Sequence, residues 1–197
     1  MSDDDDTGRR HFEPFAKPYY SDIARHLPGA LVTYNNEKQF FQLQGSSLAE
    51  PRVPRLDKGS LVAYLGVSAR PNVEPATYAL YFGPGSPYNA SGALEALHPD
   101  TLYFEALNRS IDLIEEMADK DIHISKVMIA TNFRSLVMDV AYADDDDDDD
   151  ELSENLAKTI ARRLDSLEYG DDSGVCYNLW IVEDDENKVA NDMAAKV

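Results

Sequence analysis

The chain has 197 residues, 43% of them hydrophobic, which is enough for one globular domain with a core of its own. The chain has 18 basic and 37 acidic residues, which gives a formal net charge of −19. This charge is opposite in sign to that of the basic surfaces by which proteins bind nucleic-acid backbones. The balance of charge therefore disfavours nucleic acid as a partner and favours a basic one.

Two acidic runs carry much of this charge. Asp3 to Asp6 supply four acids and Asp144 to Glu151 supply eight, and removing those twelve charges from −19 leaves −7. Such runs are typical of solvated segments, and residues 1–10 are predicted to be a disordered acidic tail. For the run at 144–151 two other roles stay open. It could contact a basic partner, or it could hold Ca²⁺ or Mg²⁺ weakly, although carboxylates without a formed loop favour diffuse condensation of ions.

The sequence predicts an intracellular protein, cytoplasmic or nuclear, without a membrane span. No stretch approaches the roughly 18 apolar residues that a span requires, and the start Met1 to Asp6 lacks the features of a signal peptide. The single cysteine, Cys176, cannot form an internal disulfide, which fits a reducing compartment. It lies in a strand-like run, where a buried, inert thiol is expected.

Residues 11–58 are predicted to form a separate N-terminal extension. Two β-prone runs, 30–34 and 39–43, flank the turn signal Asn35-Asn36 and predict a small hairpin. The proline-containing stretch 45–58 is interpreted as a linker. Four aromatic residues near the start are more than a linker needs, and they either pack on the domain, which we favour, or mark a partner-binding peptide: Phe12, Phe15, Tyr19 and Tyr20.

The rest of the chain, 59–197, predicts one α/β domain interrupted by the acidic insertion at 144–151. Three short β-prone runs come first, and then helical patterns alternate with strands, so we expect a mixed five-stranded sheet of three antiparallel and then two parallel strands, with helices on both faces. The predicted strands are 60–68, 77–82, 90–94, 126–131 and 175–182, and the predicted helices are 100–118, 134–143, 152–167 and 187–196.

Several phrases in this order resemble the type 1 ribonuclease H family, especially forms similar to those found in fungi. The family's first strand is like YTDGSA, its second ends in VYFGPGSP, its first helix opens T-x-x-R-A-E-L, a later strand ends in IATDSEYV and its last helix opens N-x-x-A-D. The corresponding stretches here are Tyr64–Ala69, Leu80–Pro87, Thr101–Leu107, Ile129–Val137 and Asn187–Asn191. The resemblance covers roughly 59–197 and implies a ribonuclease H-like fold.

The resemblance also implies a chemistry whose ligands this chain lacks. Members of the family cleave the RNA strand of an RNA-DNA hybrid with two divalent metal ions held by four carboxylates. In ungapped register those four positions fall on Gly66, Ala106, Asn132 and Asn191, and none of them is an acid. We therefore expect no catalytic residues, no metal ligands and no cofactor.

An alternative reading shifts the register by one residue. Glu105 neighbours Ala106 and Asp192 neighbours Asn191, so a divergent hybrid ribonuclease with a rearranged Mg²⁺ or Mn²⁺ site could use these two acids. A one-residue shift turns a helix by about 100° and would put polar residues where the helix faces its core. For the first strand no acid lies within reach of Gly66.

The parts that would handle a hybrid substrate are also altered. Active relatives often carry a Trp-rich or basic segment where Asp144 to Asp150 stand here, and Phe133 replaces a small serine beside the expected metal pocket. The favoured hypothesis is thus a catalytically inactive ribonuclease H-like domain that acts as an interaction module, with an unknown and possibly basic protein partner and at most vestigial nucleic-acid binding. The alternatives are the divergent ribonuclease and a nucleic-acid mimic driven by the acidic runs.

Overall fold

The computed structural model describes residues 10–47, 49–70, 73–95, 98–118, 123–143, 152–169 and 174–197. The predicted tail, apart from its last residue, and the acidic insertion at 144–151 lie outside the described residues. The described strands are β1 Val32–Asn35, β2 Phe40–Ser47, β3 Glu50–Leu56, β4 Ser60–Arg70, β5 Val73–Tyr81, β6 Ala90–Ala93, β7 Lys126–Thr131 and β8 Cys176–Ile181. The described α-helices are α1 Pro18–His26, α2 Pro99–Ala118, α3 Arg134–Ala141, α4 Leu152–Tyr169 and α5 Lys188–Ala194.

Five of the eight described strands form the mixed arrangement that the sequence predicts, and β1, β2 and β3 extend the sheet beyond the predicted five. β4, β5 and β6 pair antiparallel in a meander, and β7 and β8 follow on the other edge of β4, parallel to it and to each other. The spatial order is therefore β6-β5-β4-β7-β8, with the apolar strands β4 and β7 at its centre. Neighbouring parallel strands need a crossover connection, which is usually a helix, and α2 forms the connection between β6 and β7.

Helices cover both faces of this sheet. On one face, the odd-numbered side chains of β4 join a core with α2, α3 and α4, in which the predicted stripe Leu107, Ile111 and Ile114 is fully buried. On the other face, Val62 packs with Met128, Ala130 and Trp180 under α1. Helix α5 lies on this second face, and the hydroxyl of Thr77 in β5 donates to the carbonyl of Ala194 over 2.6 Å.

The N-terminal extension contributes strands to the sheet and is not the separate segment that the sequence predicts. The predicted hairpin forms as β1 and β2, and Phe41 in β2 pairs with Val62 in β4 while its N–H donates to the carbonyl of Phe82 over 2.9 Å. β2 therefore continues the line of β5 along the edge of β4. Sequence patterns missed this because a single cross-strand contact leaves no periodicity in the chain.

The predicted linker 45–58 differs most from expectation. Residues 50–56 form β3, which pairs antiparallel with the end of β2 through an irregularity between Gly45 and Ser47. Pro51 and Pro54 suggested a break, but prolines are tolerated in strands with an unpaired edge. Gly45 is required here, because the ring of Tyr19 from α1 lies directly over its Cα.

Residues 10–12 run along β8 as a short strap. The N–H of Leu179 donates to the carbonyl of Arg10 over 2.7 Å, and the N–H of Phe12 donates to the carbonyl of Leu179 over 2.8 Å. Arg10 is buried, contrary to its placement in a disordered tail, and its guanidinium bonds Asp165, Glu168 and the carbonyl of Tyr177. Of the four aromatic residues, Phe12 and Tyr20 are buried, whereas Phe15 and Tyr19 are exposed.

A second anchor joins α1 to the sheet. The hydroxyl of Tyr20 donates to Asp57 over 2.7 Å, and the ammonium of Lys126 donates to both partners, over 2.8 Å and 3.1 Å.

No helix within the described ranges is long and apolar enough to cross a membrane.

Candidate functional site

Three of the four positions that correspond to metal ligands in the resembled family meet at one edge of β4 and β7. The parallel register pairs Tyr64 with Ala130, and Gly66 and Asn132 each come two residues after this pair. Helix α5 brings the backbone of Asn191 against Gly66. The structure therefore brings Gly66, Asn132 and Asn191 close together. Their correspondence to the metal ligands of the resembled family stays a prediction.

Asn187 joins this group, and the sequence reading assigned it no role. Its side chain is fully buried, and its Nδ2 donates to the carbonyl of Leu65 over 2.9 Å, to Oδ1 of Asn132 over 2.8 Å and to Oδ1 of Asn191 over 3.3 Å. Asn132 in turn donates to Asp184 over 2.7 Å. The side-chain oxygens of Asn132 and Asn191 thus already accept hydrogen bonds from Asn187, and we call these three residues the asparagine group. A signal for this existed in the sequence, because Asn187 opens the matched phrase Asn187–Asn191.

The space beside Gly66 is filled by the backbone of α5. A Cβ added at Gly66 would lie 2.5 Å from the backbone nitrogen of Asn191 and closer still to the carbonyl carbon of Ala190, well inside van der Waals contact. The helix can rest on the strand only because residue 66 has no side chain. A carboxylate has no room at this position in the present arrangement.

The fourth position, Ala106, and the shifted acid Glu105 lie on α2. Ala106 is fully buried in the core, and its carbonyl accepts a hydrogen bond from the hydroxyl of Ser110. Both carboxylate oxygens of Glu105 accept the N–H of Glu95 over 3.0 Å, and the same carboxylate lies 3.5 Å from Arg109. Glu105 therefore ties α2 to the segment that follows β6.

Asp192, the other shifted acid, pairs with Lys188 one turn earlier over 3.0 Å, and both side chains are more than half exposed. Within the described ranges, no three His, Cys, Asp or Glu residues are grouped so as to hold a metal ion. Mg²⁺ dehydrates reluctantly and takes charged oxygen ligands, whereas Asn132 and Asn191 offer neutral amides that already accept hydrogen bonds. The residues at these positions do not fit a pair of Mg²⁺ ions.

Phe133 adds an apolar boundary to the group. Its ring lies 4.1 Å from that of Tyr103 in α2, centroid to centroid, at a tilt of 41°. The pair closes the space between the start of α3 and α2, where the resembled family has a small side chain. Asn132 therefore has one ring of this aromatic pair next to it in the chain and the exposed carboxylate of Asp184 as a hydrogen-bond partner.

A cleft of about 600 Å³ opens on the face of the sheet that the extension covers. Its lining comes from the strap, the segment between α1 and β1, the sheet and the loop 183–186. Aromatic residues form part of its lining, with Trp180, Tyr64 and Phe41 contributed by β8, β4 and β2. Sequence reasoning did not predict this cleft, because its walls come from segments far apart in the chain.

Charged groups surround the cleft unevenly. The carboxylates of Glu13, Glu183 and Glu186 line it together with the guanidinium of Arg134 and the imidazole of His11, whose Nδ1 lies 3.3 Å from the Glu13 carboxylate. Burial, with smaller contributions from Glu186 and Tyr81, raises the pKa of Tyr64 to about 12, so its hydroxyl stays protonated at neutral pH. Elsewhere, burial also raises the pKa of the Cys176 thiol, as expected for an inert cysteine.

Two solved structures with a similar fold are both of LC11-RNase H1. No protein-family model and no curated protein matches the sequence. The structure of LC11-RNase H1, isolated from compost by a metagenomic approach, is similar with a TM-score of 0.51 and 17% sequence identity over 68% of this chain and 92% of that one. LC11-RNase H1 in complex with an RNA/DNA hybrid gives a TM-score of 0.52 and 15% identity over 69% of this chain and 94% of that one. The meander, the two parallel strands and the flanking helices thus form a ribonuclease H-like fold.

Proposed function

We propose that this chain is a catalytically inactive ribonuclease H-like domain that serves as an interaction module for a protein partner in an intracellular compartment. The observation that carries the proposal is the packing of α5 on Gly66, which leaves no room for a carboxylate at the first metal-ligand position. Asn132 and Asn191 occupy two further positions as neutral amides bonded to Asn187. The arrangement supports a scaffold from which two-metal chemistry is absent.

The charge supports a protein partner over nucleic acid. LC11-RNase H1 has been solved with an RNA/DNA hybrid, whereas this chain carries a net charge of −19. Four successive exposed acids, 183–186, stand next to the asparagine group and would repel a phosphate backbone. Any binding of a hybrid should therefore be weak and fall further as salt is lowered, opposite to the behaviour of a basic nuclease.

The test is cleavage of an end-labelled RNA-DNA hybrid by the full chain, in Mg²⁺ and separately in Mn²⁺. We expect no cleavage above a blank without protein, even at high protein concentration. The variant Glu105→Ala/Asp192→Ala addresses the rearranged site. The matched control is Glu37→Ala/Glu116→Ala, which alters one exposed acid between β1 and β2 and another about three turns along α2 from Glu105. Cleavage that the first variant loses and the second keeps would overturn the proposal and establish a divergent ribonuclease.

A further inference from the structure

The cleft beneath the N-terminal extension has no counterpart among the positions discussed for catalysis, and its composition suits one kind of ligand. Part of its lining is aromatic: Trp180 packs edge-on against Phe12 at 5.5 Å, and Phe41 packs edge-on against Tyr64 at 5.7 Å. A volume of about 600 Å³ falls within the range of sites that enclose a ligand. Such a surface takes up apolar stems and flat, delocalised groups.

The rim of the cleft favours a cation. Three carboxylates, those of Glu13, Glu183 and Glu186, line the cleft with two basic residues, Arg134 and His11, and the imidazole of His11 lies 3.3 Å from Glu13. The acidic groups therefore outnumber the basic ones. Asp184 and Asp185, exposed in the same loop, add further negative charge within the distance over which charges interact at physiological salt. An anionic ligand would meet net repulsion here.

The loop that carries two of these carboxylates is held in place before any ligand arrives. The N–H of Glu183 donates to Glu186 over 3.1 Å, the N–H of Val182 donates to the carbonyl of Thr131 over 3.1 Å, and Asn132 holds Asp184 over 2.7 Å. Because these contacts fix the loop, a ligand would lose little free energy in ordering it. The asparagine group thus acts as a support for the rim of the cleft.

We propose that this cleft binds the side chain of an arginine from an extended segment of a protein partner. A guanidinium is planar, stacks on aromatic rings and donates in pairs to carboxylates, whereas an ammonium is compact and strongly hydrated. The aliphatic stem would lie on the aromatic part of the lining and the guanidinium would reach Glu183 and Glu186. The inference rests on the proposed function, since it names the chemistry of the protein partner.

The single tryptophan of the chain makes the test specific, because Trp180 lines the cleft. The full chain is titrated with the blocked tripeptide acetyl-Gly-Arg-Gly-amide while the emission of Trp180 is followed. Matched probes replace arginine by lysine, by glutamate or by citrulline, which keeps the shape of arginine without its charge. Free L-arginine is a further probe, since its carboxylate would face the acidic rim.

We expect a saturable change with the arginine peptide and binding weaker by roughly tenfold or more for the citrulline peptide. The lysine peptide and free arginine should also bind less tightly. The variant Glu183→Gln/Glu186→Gln should lower affinity for the arginine peptide by roughly tenfold, whereas Glu37→Gln/Glu116→Gln, with the same change in net charge, should not. Circular dichroism of each variant shows whether the fold is retained.

Any one of the following results with the peptides would overturn the inference: no saturation up to about 10 mM of the arginine peptide, equal binding of the citrulline peptide, preference for the glutamate peptide, or an unchanged affinity in Glu183→Gln/Glu186→Gln. Tighter binding of free arginine would replace the peptide by an amino acid and equally contradict it. These outcomes are separate from hybrid cleavage. A chain that cleaves no hybrid and binds no arginine peptide keeps the proposed function and loses this inference.

Discussion

At the scale of single residues, Gly66 determines the shape of the site, because the absence of a side chain there allows α5 to pack directly on β4. The backbone of α5 lies so close to the strand that an added Cβ would be 2.5 Å from the nitrogen of Asn191. Replacing glycine by alanine inside a strand ordinarily stabilises a protein by roughly 0.5–1 kcal/mol, because glycine loses more freedom on folding. Overpacking in a well-packed core costs about 1–3 kcal/mol, and here it exceeds that gain.

Gly66→Ala should therefore lower the free energy of unfolding, by about 1–2 kcal/mol after the two effects are combined. Urea unfolding followed by circular dichroism measures it. Gly29→Ala is the control, because nothing lies within 4 Å of a Cβ at that position, and it should be neutral or slightly stabilising. Equal stability of the two variants would show that α5 can retreat from the strand without loss.

The raised pKa of Tyr64 makes the free energy of unfolding depend on pH in the alkaline range. Its pKa is raised from 10.0 to about 12 by burial first and by Glu186 and Tyr81 next, so the folded protein keeps a proton that the unfolded chain releases. The contribution is fully present below pH 10 and is lost as the pH rises from about 10 to about 12. Tyr64→Phe should therefore show a smaller fall in the urea midpoint between pH 8 and pH 11 than the parent. An identical fall in both proteins would mean that other tyrosines carry the effect.

At the scale of elements, the strap at residues 10–12 shows why one buried ion pair matters more than an exposed one. Arg10 is buried and ties the strap to α4 through Asp165 and Glu168, with a third bond to the carbonyl of Tyr177. Arg55 pairs with Glu50, but both of those side chains are about half exposed. Solvent screens the second pair and the cost of fixing two long side chains offsets its attraction.

Arg10→Met should lower the free energy of unfolding by about 1–2 kcal/mol, since it keeps the apolar stem and removes bonds to charged and backbone acceptors. We discount the upper range because Asp165 is more than half exposed and regains water. Arg55→Met is the matched control and should stay within about 0.5 kcal/mol of the parent. Thermal or urea unfolding of the pair measures the difference, and similar losses in both would contradict the assigned role of the strap.

The elements also show where sequence reasoning succeeds and where it ends. The helix stripe Leu107, Ile111 and Ile114 and the apolar strand Lys126–Thr131 were predictable, because one buried face imposes a period on the sequence. β3 was not, since its prolines signal a break and its pairing depends on an edge that only the folded sheet provides. Likewise Asn132 and Asn191 could be placed together by resemblance, but the amide of Asn187 that joins them depends on the approach of α5.

At the scale of the whole molecule, the extension and the five-stranded sheet form one folding unit. Phe12, Tyr20 and Ile23 from the extension share a core with Val62, Met128 and Trp180 from the sheet. A core that both parts complete cannot be lost from one without exposing the other. Cooperative unfolding in a single transition is the expected behaviour.

Urea unfolding should therefore give coincident curves for Trp180 fluorescence and for far-ultraviolet circular dichroism. The first reports on the face under the extension, where Phe12 touches the indole ring, and the second reports on all helices and strands. A fluorescence change that precedes the loss of helix would show that the extension detaches first. That result would mean that the extension and the sheet unfold as separate units.

The packing of α5 on Gly66 also has a consequence for descent. A mutation that placed aspartate at residue 66 would arrive in a protein whose helix backbone occupies the required volume. Selection would then act on its instability before any benefit of the new carboxylate could be expressed. An aspartate at residue 66 would therefore require α5 to move away from the strand first. The contact thus imposes an order on sequence change, because the helix has to shift before an acidic side chain can be accommodated at this position.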